Sequence, residues 1–139
     1  MLNILLVDDD PEEFELFETA VSEIRPGINR VHSDGCSDLL ETMISHKPDI
    51  VFIDINMPAI NGIECLKGIR SKPAFRSLPI IMYSTSNSRI HIQQSFDNNA
   101  NYYIVKPHSL RGIREALEKV IDIDWKADSK PSLSNFVIA

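Results

Sequence analysis

Cysteine, glycine and long apolar runs are scarce in this chain, and each shortage narrows what the chain can be. Only two of its 139 residues are cysteine. Cys36 and Cys65 have no CxxC spacing and no histidine pattern nearby, so neither a zinc site nor a redox dithiol is indicated, and buried, reduced thiols are expected. The five glycines form no GxxxxGK[ST] or GxGxxG cluster, which removes the loop that cradles a nucleotide's phosphates. No apolar stretch approaches the roughly 18 residues of a membrane span. The opening Met1–Val7 run is too short and lacks the basic start of a secretory signal, so a cytoplasmic protein without membrane insertion is expected. Basic charge is short as well. With 14 Lys and Arg against 20 Asp and Glu, a net charge of −6, the chain offers no footprint for a nucleic-acid backbone or an anionic membrane.

What is present is the composition of one globular domain, 43% apolar and 24% charged, long enough to bury a core without metal or disulfide staples. Four short, uniformly apolar runs, Ile4–Val7, Ile50–Ile53, Ile80–Tyr83 and Tyr102–Val105, read as strands buried on both faces. Ile28–His32 is weaker and alternating, which suits an edge strand. Between the runs the period becomes helical. Asp10-Pro11-Glu12-Glu13 is a helix start, and Phe14, Phe17, Val21 and Ile24 make one stripe behind it. Leu39, Leu40, Met43 and Ile44 mark a second helix, and Ile63, Leu66 and Ile69 a third. Residues 87–97 carry too little apolar surface for more than a marginal helix. Leu110, Ile113, Leu117, Val120 and Ile121 mark the last helix, behind Ser109. Five strands alternating with five helices predict an α/β fold with a parallel sheet covered on both faces. The domain is expected over residues 1–123, with 124–139 as a disordered C-terminal tail that has no periodicity.

Ligands of open parallel sheets bind beyond the carboxyl ends of the strands. Asp8 and Asp9 follow the first strand, Asp54 the third, Ser84 and Thr85 end or follow the fourth, and Lys106 ends the fifth. Three converging carboxylates demand a cation, and hard oxygen ligands suit Mg2+ or Mn2+. A lysine and a hydroxyl opposite a metal suit a transferred phosphoryl group. Without a nucleotide loop the donor must be another molecule, and the acceptor is most simply a carboxylate of the chain itself. Asp54, alone at a central strand end, is the best candidate.

The ordered motifs Leu6-Val7-Asp8-Asp9-Asp10, Asp54-Ile55-Asn56-Met57-Pro58 with Gly62, Met82-Tyr83-Ser84-Thr85 and Tyr103-Ile104-Val105-Lys106-Pro107 resemble the receiver domain of two-component response regulators, over residues 2 to about 123. The resemblance implies a flavodoxin-like, doubly wound (βα)5 fold with strand order 2-1-3-4-5. It implies Asp54 as phosphoacceptor, Asp9 as direct metal ligand, Asp8 acting mainly through water, and Asn56 offering its backbone carbonyl to the metal. Ser84 becomes the switch hydroxyl, Lys106 the phosphate-pairing cation and Tyr103 the aromatic that turns inward on activation, and Pro107 follows a cis peptide. The implied partners are a sensor histidine kinase or a histidine phosphotransfer protein, and a downstream protein target, with homodimer formation on phosphorylation left open. The implied activity is self-phosphorylation, from phosphohistidine or a small phosphodonor, with slow autodephosphorylation. Because the sequence stops soon after the last helix, output through protein contact is expected, as in stand-alone receivers.

Two departures stand out. Thr85 occupies a position where the family usually has alanine or glycine, so its branched side chain narrows access to Asp54. Asn99 replaces a frequent glycine, a mild change because asparagine tolerates left-handed backbone. The bland readings are helix capping for Asp8–Asp10, turn residues for Asp54 and Ser84, a surface lysine for Lys106 and a packing tyrosine for Tyr103. His32, His46, His91 and His108 lack ligand spacing and read as structural or surface residues. The rival functions are a Mg2+-dependent phosphohydrolase with an aspartyl-phosphate intermediate and a flavodoxin-like binding module without phosphorylation. The first lacks a cap insertion and an Asp-x-Asp strand end. The second would need Ser, Thr or Gly where Asp8 and Asp9 stand.

Overall fold

In the computed structural model, which describes residues 2–125 and 130–139, five strands form one parallel sheet. They are β1 (Asn3–Val7), β2 (Asn29–Ser33), β3 (Ile50–Ile53), β4 (Ile80–Ser84) and β5 (Tyr102–Val105), in the order β2-β1-β3-β4-β5. The helices are α1 (Pro11–Ile24), α2 (Leu39–His46), α3 (Gly62–Arg70), α4 (Arg89–Asp97), α5 (Leu110–Ile121) and a single turn, α6 (Leu133–Phe136). No helix among the described residues is long and apolar enough to cross a membrane. The strand order reverses between β1 and β3, where Ile4–Val7 pairs with Ile50–Ile53. That reversal is the switch point of a doubly wound sheet, and it opens a crevice at the strands' carboxyl ends.

Successive strand side chains point to opposite faces, so uniformly apolar strands require helices on both sides. Leu5, Val7, Val51 and Ile53 join one cluster with Leu39 and Met43 of α2 and Ile63, Leu66 and Ile69 of α3. Ile4, Leu6, Phe52 and Tyr83 join the other with Phe17 and Val21 of α1 and Ile113, Leu117 and Val120 of α5. Edge-on aromatic contacts lock that second face, with Phe17 5.1 Å from Phe52 and 5.9 Å from Tyr83. β2 is the outer strand expected of its mixed pattern, and none of its residues is fully buried.

The helix starts follow local chemistry. Asp10 caps α1 by accepting from the Glu12 N–H, Asn61 caps α3 through the Glu64 N–H, and Ser109 caps α5 through the Gly112 N–H. α4 buries only Ser95, in keeping with its weak stripe. Gly112, unfavourable inside a helix, has a packing reason: a Cβ there would lie 2.7 Å from the Pro107 side chain. Asn99 adopts the left-handed backbone expected of it, at φ 68°.

Three expectations are corrected. Cys36 and Cys65 are joined as a disulfide, not reduced; their Cα atoms lie 5.9 Å apart, inside the range a disulfide spans. Their sequence separation of 29 hides the pairing from any spacing rule. α2 and α3 share one face of the sheet, and that brings the loop before α2 against α3. The Lys106–Pro107 bond is trans, since the described residues contain no cis peptide; trans is the intrinsically favoured isomer before proline.

The third correction concerns the tail. Residues 126–129 lie outside the described residues, but 130–139 are folded onto the domain. Phe136 is fully buried, in the same cluster as Tyr103. The Ile138 N–H donates to the Tyr103 carbonyl at 2.9 Å, and the Val105 N–H donates to the Ala139 carbonyl at 2.9 Å. A short aperiodic segment cannot bury an apolar face by itself, so its order comes from the open edge of β5 and from the space beside Tyr103.

Candidate functional site at the carboxyl ends of β1, β3, β4 and β5

The crevice at the switch point collects what the strand ends supply. The Asp8 N–H donates to Ser33 O at 3.0 Å, and the Asp54 N–H donates to Val7 O at 2.9 Å. Both aspartates therefore continue the ladder and are fixed to within one pleat of it. Asp8 is fully buried, Asp54 is 7% exposed and Asp9 is exposed at the rim. One carboxylate oxygen from each of Asp8, Asp9 and Asp54 lies within 4.8 Å of the others. The Asn56 N–H reaches Asp54 Oδ1 at 3.4 Å, a long contact that turns the following loop over the carboxylate.

Lys106 completes the crevice from β5. Its N–H donates to Ser84 O at 2.8 Å. Its Nζ donates to Asp8 Oδ2 at 2.9 Å and lies 3.7 Å from Asp54 Oδ2 and 3.6 Å from Glu13 Oε2. The Tyr83 ring lies beneath, with its centroid 5.3 Å from Nζ. Ser84 is fully buried beside them, and its Oγ accepts from the Ser86 N–H at 3.2 Å.

Opposing influences act on the ionisable groups. Burial raises the pKa of Asp54; the charge of Lys106 lowers it, that of Asp8 raises it, and the hydrogen bonds from Asn56 and Ser84 lower it, leaving it above the ordinary carboxylate value. Burial alone would lower Lys106, but its hydrogen bond to Asp8 and the charges of Asp54, Asp8 and Glu13 outweigh that and hold it above the ordinary lysine value. The site thus holds Asp8 and Asp54 in a desolvated place with one ammonium between them. Asp8, Asp9 and Asp54 fit a hard divalent cation, because an all-oxygen acidic set with an open rim leaves room for waters and phosphoryl oxygens.

Asp8, Asp9, Asp54, Asn56, Ser84 and Lys106 meet around this crevice, and Tyr103 stands outside that set. Tyr103 is fully buried, and its hydroxyl donates to Ser86 O at 2.8 Å, so the ring already faces inward in the structure. Thr85 is exposed. Three contributors were not foreseen. Glu13 joins the ion cluster from the first turn of α1, where its sequence signal was that of a helix-start acid. The His32 Nε2–H donates to the Asp8 carbonyl at 2.6 Å, and the ring stacks on Phe14, with centroids 4.6 Å apart. Ser86 links Ser84, Tyr103 and His91, its Oγ lying 2.7 Å from His91 Nδ1. A lone serine carries no sequence signal for that.

Comparison with known proteins agrees with this geometry. The chain is 27% identical over 122 residues to chemotaxis protein CheY1 of Helicobacter pylori, covering 86% of this chain and 97% of that protein. It is 27% identical to the probable C4-dicarboxylate response regulator DctR of Bacillus subtilis, covering 94% of this chain but only 57% of the relative. Among solved structures, response regulator RPA3017 in red light signaling of R. palustris superposes with a TM-score of 0.81 at 21% identity, covering 95% of this chain and 99% of that one. The phosphorylated cyanobacterial phytochrome response regulator RcpA matches with a TM-score of 0.73 at 25% identity, over 94% and 99%. The family described as the response regulator receiver domain matches residues 4–118, and the chain belongs to that family of signal-transduction switches.

Proposed function

We propose that Asp54 accepts a phosphoryl group from a phosphohistidine of a partner kinase or phosphotransfer protein, in a Mg2+-dependent reaction that resets a protein-interaction surface. One observation carries this reading: the buried Lys106 ammonium stands between Asp8 and Asp54 on the edge of a three-carboxylate cluster. An Asp54 oxygen attacks phosphorus in line; the P–N bond breaks, and its electron pair returns to the donor imidazole. Lys106 pairs with an oxygen of the transferring group, and Ser84 donates its hydroxyl to another. Asp8, Asp9, Asp54 and the Asn56 carbonyl would hold Mg2+ or Mn2+, which supplies neutralisation of the negative charge gathered on the phosphoryl oxygens. The new acyl phosphate is later hydrolysed, so the protein limits its own signal, and its partners are a histidine kinase upstream and a protein target downstream. A cytoplasmic setting suits such a partner pair.

The test is incubation of the protein with acetyl phosphate and Mg2+, followed by intact mass. A phosphate-sized gain that vanishes in Asp54→Asn is the expected result. A gain persisting in that variant moves the acceptor elsewhere, and no gain in either protein overturns the reading.

A further inference from the structure

β5 is the last strand of the sheet among the described residues, so its outer edge is open to the segment that follows. The C-terminal segment occupies it. Val137 forms a parallel bridge with Tyr103 itself, and the flanking Ile138 and Ala139 complete two backbone hydrogen bonds to Tyr103 and Val105. Phe136, 0% exposed, sets its ring 6.3 Å from that of Tyr103 and 5.3 Å from that of Phe96 on α4. Tyr103 is therefore bracketed. Outward, its backbone and ring meet the tail. Inward, its hydroxyl is held by the Ser86 carbonyl, and the Ser86 N–H is bonded to the Oγ of Ser84, which lies buried at the end of β4, the strand next to β3 and Asp54.

We infer that Phe136 is a positioning residue for the phosphoryl switch: seated beside Tyr103, it denies that ring the space beyond the β5 edge and holds it inward against Ser86. The seated tail and the arrangement that accepts a phosphoryl group at Asp54 are then one state. Coupling of this kind is reciprocal, so phosphorylation also tightens the tail on β5. The link to phosphorylation rests on the reading of Asp54 as phosphoacceptor; the bracket around Tyr103 does not.

The experiment compares the full-length wild type with Phe136→Ala and Phe136→Leu. Tetranitromethane reports access to the Tyr103 ring, assigned by peptide mass against Tyr83 and Tyr102. Amide exchange at Val105 and Ile138 reports the seat of the tail. Calorimetric titration with beryllofluoride and Mg2+ reports affinity for a phosphoryl mimic. The alanine variant should nitrate Tyr103 about fivefold faster and bind beryllofluoride about fivefold more weakly, and leucine, which refills the apolar seat, should restore most of both. Unchanged nitration of Tyr103 in an alanine variant whose Val105 and Ile138 amides exchange faster would overturn the proposal. Unchanged beryllofluoride affinity with a reactive Tyr103 would overturn the coupling. Failure of the wild type to bind the mimic overturns the Asp54 reading and the coupling with it, while nitration still decides whether Phe136 holds Tyr103.

Discussion

Lys106 carries the largest share of the site's electrostatics. Its ammonium is nearly enclosed and faces three carboxylates, so removing it leaves Asp8 and Asp54 buried without compensation. Lys106→Met should cost about 3 kcal/mol in chemical denaturation without metal, and Mg2+ should recover more of that loss than it adds to the wild type. The pH dependence has a definite sign. Lys106 is held above its ordinary pKa by its partners, so its contribution is complete below the unfolded lysine value and is lost as pH rises through the folded one. Alkaline melting above about pH 10 should therefore destabilise the wild type and spare Lys106→Met. Thr85 follows β4 directly and is exposed, and Thr85→Ala should speed labelling by acetyl phosphate several-fold; an unchanged rate would show that this methyl does not gate Asp54.

At the scale of elements, the loop from β3 into α3 is the most tightly constrained connection. A Cβ on Gly62 would lie 2.1 Å from the Asp54 carbonyl oxygen and 2.8 Å from Ile55 Cα, so the first residue of α3 must be glycine for the helix to rest against the end of β3. Gly62→Ala should lower Tm by several degrees, the effect of about 2 kcal/mol of overpacking against backbone, and should displace Asp54 enough to slow its phosphorylation more than tenfold. Three residues earlier, Ala59 has φ 66°, a left-handed backbone that an L side chain pays about 1 kcal/mol or more to hold. Ala59→Gly should relieve it and raise Tm, as followed by calorimetry. The motif containing Asp54, Asn56, Met57, Pro58 and Gly62 was visible along the chain. The strain at Ala59 was not, because alanine has no sequence preference for that conformation.

At the scale of the whole molecule, two contacts between distant parts of the chain stand out. One is the Cys36–Cys65 disulfide, which ties the loop ahead of α2 to α3. A loop of this length stabilises by about 3–4 kcal/mol through restriction of the unfolded chain, so dithiothreitol should lower Tm markedly, and Cys36→Ser should mimic the reduced protein and be insensitive to reductant. The other is the tail on β5, ordered by Phe136 although the segment's own pattern predicts none. Both lay beyond reading from sequence for one reason: neither has a local period or spacing, and each depends on where distant elements come to rest.

The amino-acid order alone determined the alternation of buried strands and amphipathic helices, hence the parallel sheet and the strand ends where Asp8, Asp9, Asp54, Ser84 and Lys106 emerge. Periodicity and strand-end chemistry are local, and local patterns survive in a linear text. Tertiary structure alone decided that Glu13, His32 and Ser86 join that site, that the two cysteines meet, that the Lys106–Pro107 bond is trans, and that Tyr103 lies inward under Phe136. Those outcomes depend on distances through space between residues up to about a hundred positions apart, and only packing of the completed sheet brings them within reach.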